Sequence, residues 1–220
     1  MKKVRTLSTM TFCIVVALLT TGCAPLLIGG AAVGTATVMT DRRTTGAIVS
    51  DEVIEKRVIY EITQALNNDR HHITVTSYEG RVLLTGEVGS ESDRRVAQQI
   101  ASVSSDVGSV VNQLAVMPVA SMATRLSDSM LATKVRSVII GTDKISLNQM
   151  KVTVDRGIVY LMGVVTADEA NRAARRAAEV SGVKQVVRCF NIVSQAEVDR
   201  RLKDLNGGAK KVEAMNPPSS

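Results

Sequence analysis

Hydrophobic and polar residues follow two alternating periods from residue 50 onward, and these periods predict helices and strands in a fixed order. Apolar residues recur at helical spacing after Ser50-Asp51 and again after Ser127-Asp128, and a serine–aspartate pair is typical of a helix N-cap. Each helical stretch is followed by positions that alternate with period two around a tight turn, which predicts two antiparallel strands. A second helix (residues 92–103 and 168–180) and a last strand complete the predicted order: helix, strand, strand, helix, strand.

This pattern occurs twice, at an offset of 77 residues. The sequence Val-x-Leu-x-Gly-x-Val stands at residues 82–88 and returns at 159–165, each time just after a turn glycine. We therefore predict two copies of one module, at residues 50–117 and 121–194. Four glycines hold equivalent places in the two copies and are predicted to be structural, serving tight turns and close backbone approach: Gly80, Gly86, Gly157 and Gly163.

The first residues have the features of a bacterial export signal. Three positive residues precede an apolar run over residues 10–19, which is too short to span a membrane. The run ends in Leu-Thr-Thr-Gly-Cys at residues 19–23, which resembles the lipobox of bacterial lipoproteins. That resemblance implies removal of residues 1–22, and a covalent diacylglycerol and N-acyl chain on Cys23 as a lasting anchor. Ala24 in place of aspartate implies sorting to the outer membrane; the alternative is a secreted protein with a chance cysteine here.

Two further segments flank the modules. Residues 23–49 are rich in glycine, alanine and threonine, and we predict a flexible tether between the lipid anchor and the first module. Residues 195–220 form a charged tail, which we predict to be disordered beyond about Asn206.

The residues that could carry chemistry are few, and they favour a protein that is not an enzyme. The two histidines are the neighbours His71-His72, and an exposed loop is favoured over a metal site, because neighbours in an extended segment point to opposite sides. Cys189 lies in a strand pattern, where a packing role is expected. No nucleophile elbow, paired-carboxylate motif or phosphate loop occurs. The sequence contains no tryptophan, which argues against nucleic acid as a partner, and the presence of an export signal argues against it as well.

Charge divides unevenly between the modules. Residues 50–117 contain six Lys/Arg and ten Asp/Glu, a formal charge of −4, whereas residues 121–194 contain eleven and six, a charge of +5. The basic module suits an anionic membrane surface, where each nearby Lys or Arg contributes about 1 kcal/mol. The outward positions of its first helix combine apolar groups with cations, as interfacial helices do. A solvated helix with two exposed apolar residues is an equal alternative from these residues alone. These candidate lipid-binding residues are Met130, Thr133, Lys134, Arg136 and Ile140.

The repeated motif resembles the BON domain, whose hallmark is a turn glycine followed by Val-x-Leu-x-Gly-x-Val. The resemblance is closest at residues 133–137, 151–154, 161–166 and 180–184. Two such domains behind a lipobox resemble the dual BON-domain outer-membrane lipoproteins. The resemblance implies an α+β fold with two tandem BON domains, each α-β-β-α-β, in which a small three-stranded mixed sheet packs on two helices.

The same resemblance implies a function. In that family the first helix of the second domain binds anionic phospholipid such as phosphatidylglycerol, and the position of the family's tryptophan is Met130 here. The expected protein faces the periplasm, supports outer-membrane integrity and concentrates at the division site, with septal envelope proteins as further expected partners. The alternative is a protein-interaction module, in which the acidic first domain or this helix docks an envelope partner such as the outer-membrane protein assembly machinery.

Overall fold

The computed structural model describes residues 41–66, 70–142, 145 and 149–215, with side chains described as far as residue 207. The signal, Cys23 and most of the predicted tether lie outside the described residues. The described chain is α+β and contains the predicted order of elements twice. The first module comprises α1 (Thr45–Leu66), β1 (His72–Tyr78), β2 (Arg81–Val88), α2 (Glu91–Val103), β3 (Ser109–Asn112) and β4 (Ala115–Val116). The second comprises α3 (Met122–Ile140), β5 (Met150–Asp155), β6 (Ile158–Val165), α4 (Ala167–Ala178) and β7 (Gln185–Ile192).

Each module has a small mixed sheet with the hairpin's second strand in the centre. In the first sheet β2 pairs antiparallel with β1 and parallel with β3. The short β4 also pairs with β2, so this sheet has four strands where three were predicted. In the second sheet β6 lies between β5 and β7 with the same directions. The predicted α+β class is confirmed.

One face of each sheet packs on its own two helices. In the first module Val82, Leu84 and Val88 of β2 share a core with Ile54, Val58 and Ile62 of α1 and with two alanines of α2. The second module repeats this core with Val159, Leu161 and Val165 against Leu131, Val135 and Ile139 of α3. Alternate residues of each strand therefore form the core, as the period of two predicted.

The other faces of the two sheets pack against each other, which the sequence analysis did not predict. The intervening residues of β2 and β6 form one buried cluster with Tyr78 and Cys189, namely Leu83, Tyr160, Met162 and Val164. The hydroxyl groups of Thr76 and Thr153 meet at 3.2 Å at the edge of this contact. The modules thus form four layers, with helices outside and two sheets inside.

Glycines permit close approach within each sheet. A Cβ atom on Gly86 would lie 2.0 Å from the carbonyl oxygen of His72, and one on Gly163 would lie 2.2 Å from that of Gln149. Gly80 and Gly157 occupy the hairpin turns with φ of +71° and +77°. This geometry gives all four positions a structural reason to be glycine.

The predicted N-caps were wrong. Helix α1 begins earlier, where the Thr44 hydroxyl accepts a bond from the Ala47 N–H, and α3 begins after Ser121, which caps the Thr124 N–H. Ser50-Asp51 and Ser127-Asp128 lie inside the helices, because the two aspartates bind the hairpin turns instead. Asp128 accepts from the N–H groups of Arg156 and Gly157 at 2.8 and 2.9 Å.

Asp51 is the centre of the equivalent network in the first module. Its carboxylate accepts from the N–H groups of Glu79 and Gly80, from the hydroxyl of Ser77 and from the guanidinium of Arg43. Burial alone would raise the pKa of Asp51, but these bonds outweigh burial and hold the pKa below its ordinary value. The aspartate therefore joins the helix, the turn and the segment before the helix.

Both flanking segments are more ordered than predicted. Asp41–Arg43, placed in the flexible tether, is built into the fold: Arg42 and Arg43 are 5% and 9% exposed. The charged tail forms helix α5 (Gln195–Met215), which continues past Asn206, where disorder was predicted. Its first turns are held to the body, since Val198 is buried and Arg201 pairs with Glu79 at 2.6 Å.

Candidate lipid-binding site

Helix α3 forms part of the outer layer of the second module. One side of it is buried by Leu131, Val135 and Ile139, which pack on the sheet. The opposite side is unpartnered in the described part of the chain and carries large apolar groups. The exposed fractions are 72% for Met122, 64% for Leu126, 59% for Met130 and 61% for Ile140.

Met122, Leu126 and Met130 lie above one another at four-residue spacing, and Ile140, ten residues after Met130, falls on the same side at the end of the helix. We call this set, Met122, Leu126, Met130 and Ile140, the apolar stripe. Met130 and Ile140 were predicted from the sequence, whereas Met122 and Leu126 were not, because the helix was predicted to begin at Ser127 and begins at Met122. Ser121, a residue type that is preferred at the N-cap, was the signal that could have located the true start of the helix.

The predicted polar residues of this surface have different surroundings. The Lys134 side chain is exposed and has no hydrogen bond or ion pair to any described residue. Arg136 is exposed as well, but its guanidinium donates to the carbonyl oxygen of Val152 at 2.7 Å. The hydroxyl of Thr133 donates to the Ser129 carbonyl within the helix. The structure therefore brings all five predicted residues to one helix, and Lys134 is the cation that is unengaged.

Some of the opposite charges of the two modules form ion pairs with each other. Lys151 pairs with Glu55 at 2.7 Å, and Arg156 pairs with Glu87, which is fully buried. In each pair the cation belongs to the second module and the anion to the first. The positive charge of the second module was expected to face a membrane, but these two cations stabilise the contact between modules.

Arg42 adds a third pair from outside the modules. Its guanidinium donates two hydrogen bonds to the carboxylate of Glu169 in a bidentate arrangement, at 2.7 and 2.8 Å, and a third to the Val164 carbonyl. Burial alone would raise the pKa of Glu169, but the bonds from Arg42 and Thr166 hold it below its ordinary value. Arg43, beside it, stacks on Tyr78 and binds Asp51 of the first module. We call Asp41–Arg43 the strap, since it contacts both modules.

The histidines and the free cysteine differ in part from expectation. His72 was predicted in an exposed loop, but it begins β1, is partly buried and lies 3.8 Å from Glu87. Cys189 is buried in the cluster between the sheets, and burial raises the pKa of its thiol.

Among the described residues no group of three metal-ligating side chains occurs. In that same part of the chain, no helix is long and apolar enough to cross a membrane.

The class of protein is defined by two tandem modules of this topology, each with a turn glycine and a central strand that is buried on both faces. The model of the BON domain family matches residues 50–118 and 127–193. The chain belongs to the BON-domain family, which confirms the resemblance found in the repeated motif.

Curated relatives match across most of the chain. It is 37% identical over 174 residues to the outer membrane lipoprotein DolP of Haemophilus influenzae, covering 77% of this chain and 88% of that protein. It is also 29% identical over 154 residues to the 21 kDa hemolysin of Actinobacillus pleuropneumoniae, covering 70% of this chain and 79% of that protein.

Proposed function

We propose that this chain is an outer-membrane lipoprotein that faces the periplasm and binds anionic phospholipid through helix α3. The observation that carries the proposal is the apolar stripe, whose four large side chains are all more than half exposed. A bilayer interface would cover such a stripe and gain the free energy of its burial. We further propose, from the family resemblance, that the protein supports outer-membrane integrity and is enriched at the division site.

Anchoring through Cys23 is the first part of the proposal. We expect Cys23→Ala to abolish lipidation, so that the protein no longer sediments with membranes after cell lysis. Mass spectrometry of the wild-type N-terminus should show acyl chains on Cys23. A wild-type protein that begins at another residue and carries no lipid would contradict the anchor.

Lipid binding by the stripe is the second part. We expect the lipid-free chain from residue 24 to bind vesicles containing phosphatidylglycerol and not vesicles of phosphatidylcholine alone. Leu126→Asp with Met130→Asp should weaken binding at least tenfold, because two inserting groups become anions near anionic headgroups. Flotation of vesicles at several salt concentrations measures this, and binding should weaken as salt screens the cations.

The repeat supplies a matched control for this experiment. Val49 and Val53 of α1 occupy the positions equivalent to Leu126 and Met130, and they are 56% and 45% exposed. Val49→Asp with Val53→Asp makes the same chemical change on the opposite outer layer, so vesicle binding should be unchanged. Equal loss of vesicle binding in both variants would contradict the assignment of α3 as the lipid-binding surface.

The exposed face of α1 favours a second candidate function. Tyr60 continues the line of Val49 and Val53 and is 65% exposed. Because α1 lies in the other outer layer, a flat membrane bound by α3 would not reach it. This face therefore suits the protein-interaction function, with an envelope protein such as the assembly machinery as the partner. Binding of that partner should be lost in the Val49→Asp, Val53→Asp variant while lipid binding persists.

A further inference from the structure

The outer edge of strand β7 has no strand beside it in the described part of the chain, although β7 is eight residues long. At the end of β7 the Val193 N–H donates to the Val165 carbonyl of β6 at 2.9 Å. Because main-chain groups alternate in direction along a strand, every second residue of β7 points its N–H and carbonyl away from β6. These outward residues are Val186, Arg188, Phe190 and Ile192.

Most of the outward main-chain groups are unpaired. The Phe190 carbonyl accepts from the guanidinium of Arg81 in the first module at 3.0 Å. The other outward N–H and carbonyl groups of β7 form no hydrogen bond with a described residue. A row of unpaired groups at the edge of a sheet is a template for pairing with another extended chain.

A groove of about 270 Å³ lies between this edge and helix α4. Ala167 and Ala170 of α4 and Phe190 and Ile192 of β7 give it an apolar lining, and Ile192 is 51% exposed. An extended chain paired with β7 would direct every second side chain toward α4. An apolar side chain at such a position would fill the groove.

The rim of the groove has an excess of positive charge. The three carboxylates on α4 and at its C-cap each pair with an arginine: Asp168 with Arg172, Glu169 with Arg42, and Glu179 with Arg176. Arg175 and Arg188 are exposed, and neither forms an ion pair with a described residue. Arg188 donates only to the uncharged side chain of Asn171, at 3.0 Å. These two arginines therefore attract an acidic partner.

The first module closes the equivalent edge with its own side chains. Asn112 stands at the position equivalent to Arg188, and its side chain accepts from the Leu114 N–H at 3.0 Å. The same side chain donates to the Arg94 carbonyl of α2 at 3.1 Å, so it bridges strand and helix. The strand is also interrupted there, as β3 and β4. In the second module Phe190 is equivalent to Leu114, and its N–H has no such cap among the described residues.

We infer that β7 and α4 bind an extended segment of a partner protein, which adds a strand to the second sheet. The segment has an acidic residue two positions from an apolar one. This spacing follows from strand geometry, because both side chains must face α4, where the apolar one fills the groove and the acidic one meets Arg188. The surface differs from the apolar stripe of α3, so its occupation does not depend on lipid binding.

A second copy of this chain fits the same edge less well. Antiparallel pairing of two β7 strands would bring the two Arg188 side chains close together. Like charges at facing positions of paired strands are destabilising, and charged side chains on an edge are a common barrier to such pairing. Charge complementarity therefore favours an acidic segment of another protein.

Synthetic peptides test strand pairing and charge separately. The probe is the acetylated and amidated peptide Glu-Thr-Val-Thr-Val-Thr-Glu, which reads the same in both directions and so suits either strand orientation. In an NMR titration of the lipid-free chain from residue 24, the amide signals of Arg188 and Ile192 should shift in a saturable way. N-methylation of the three central amides, or lysine in place of both glutamates, should weaken binding at least about tenfold.

Two pairs of protein variants locate the site. Arg188→Asn introduces the residue that closes the first module and should weaken binding at least about tenfold, whereas Arg188→Lys keeps the charge and should stay within about threefold of wild type. Ile192→Asp should weaken binding as strongly, because it places an anion in the apolar groove. Val116 is the equivalent residue of the first module and is 45% exposed, so Val116→Asp should leave peptide binding unchanged.

Several results would contradict strand addition at β7. Equal binding of the N-methylated peptide would show that main-chain pairing is not involved, and equal effects of Ile192→Asp and Val116→Asp would place the site elsewhere. Absence of saturable shifts with the unmodified peptide would also overturn it. A wild-type chain that sediments as a dimer without peptide, and as a monomer after Ile192→Asp, would assign the edge to a second copy. Vesicle binding by α3 is measured separately, so the two proposals can fail independently.

Discussion

Arg42→Met is expected to lower the free energy of unfolding by about 3–5 kcal/mol, although the residue lies outside both repeated modules. The variant leaves the Glu169 carboxylate buried without its cation, and an uncompensated buried charge has a cost of this size. The side chains of Arg42 and Glu169 are 4% and 9% exposed, so water cannot replace the lost partner. Urea unfolding at neutral pH followed by circular dichroism gives the measurement.

A second substitution separates the buried charge from lost packing. In Arg42→Met with Glu169→Gln, the amide can still accept from the Thr166 N–H, as the carboxylate does at 2.7 Å. This double variant should recover part of the lost stability. Because the pKa of Glu169 is lowered in the folded state, its contribution is present above the ordinary value of 4.5 and is lost as the pH falls. The difference between wild type and Arg42→Met should therefore narrow in acid, and an unchanged midpoint at pH 7 would refute the role of the strap.

Gly86→Ala should have an effect at least as large, more than about 4 kcal/mol, and should prevent stable folding of the first module. The new Cβ atom would lie 2.0 Å from the carbonyl oxygen and 3.0 Å from the carbonyl carbon of His72, and φ is +111°. Both neighbouring atoms are backbone atoms of the paired strand, so relief requires the strands to separate. Gly163→Ala should act in the same way in the second module.

Gly46→Ala is the matched control for these glycine substitutions. It lies in the first turn of α1, and its Cβ atom would meet only the Thr44 hydroxyl oxygen, at 3.8 Å. Alanine is favoured over glycine in a helix by up to about 1 kcal/mol, so this variant should be as stable as wild type or more so. Thermal unfolding of the three variants compares them, and a Gly86→Ala protein that melts like wild type would contradict the close approach of the strands.

Sequence reasoning predicted the elements that depend on periodicity and repetition. The alternation in Val82 and Leu84 located the central strand, and the offset between the modules located its copy. The same strands also contained a signal for the contact between sheets. Residues 158–162 are a continuous apolar run, which is typical of a strand buried on both faces, whereas simple alternation predicts one buried face.

What could not be predicted depends on partners that are distant in sequence. Asp51 has the local features of an N-cap, and its role at the hairpin turn follows only from packing of α1 on the sheet. The strap is polar and short, and Glu169, which buries Arg42, lies 127 residues away. Arg156 is one of many cations in the second module, and nothing in the sequence marks it as the partner of Glu87, which it meets only in the folded protein. The candidate surface was found in part, because helical spacing is local, and its first turn was missed with the start of the helix.

The contact of Thr76 with Thr153 has a consequence for dissecting this protein by deletion. These residues hold equivalent positions in the two modules, and contact between equivalent residues is the signature of an isologous, two-fold interface. The chain therefore corresponds to a dimer that is folded within one polypeptide. A single module produced alone would expose a sheet face bearing Leu83, or one bearing Tyr160 and Met162, and such a face favours self-association. Point substitutions on the outer helices, which leave this internal dimer intact, can assign functions that truncated proteins would confuse with aggregation.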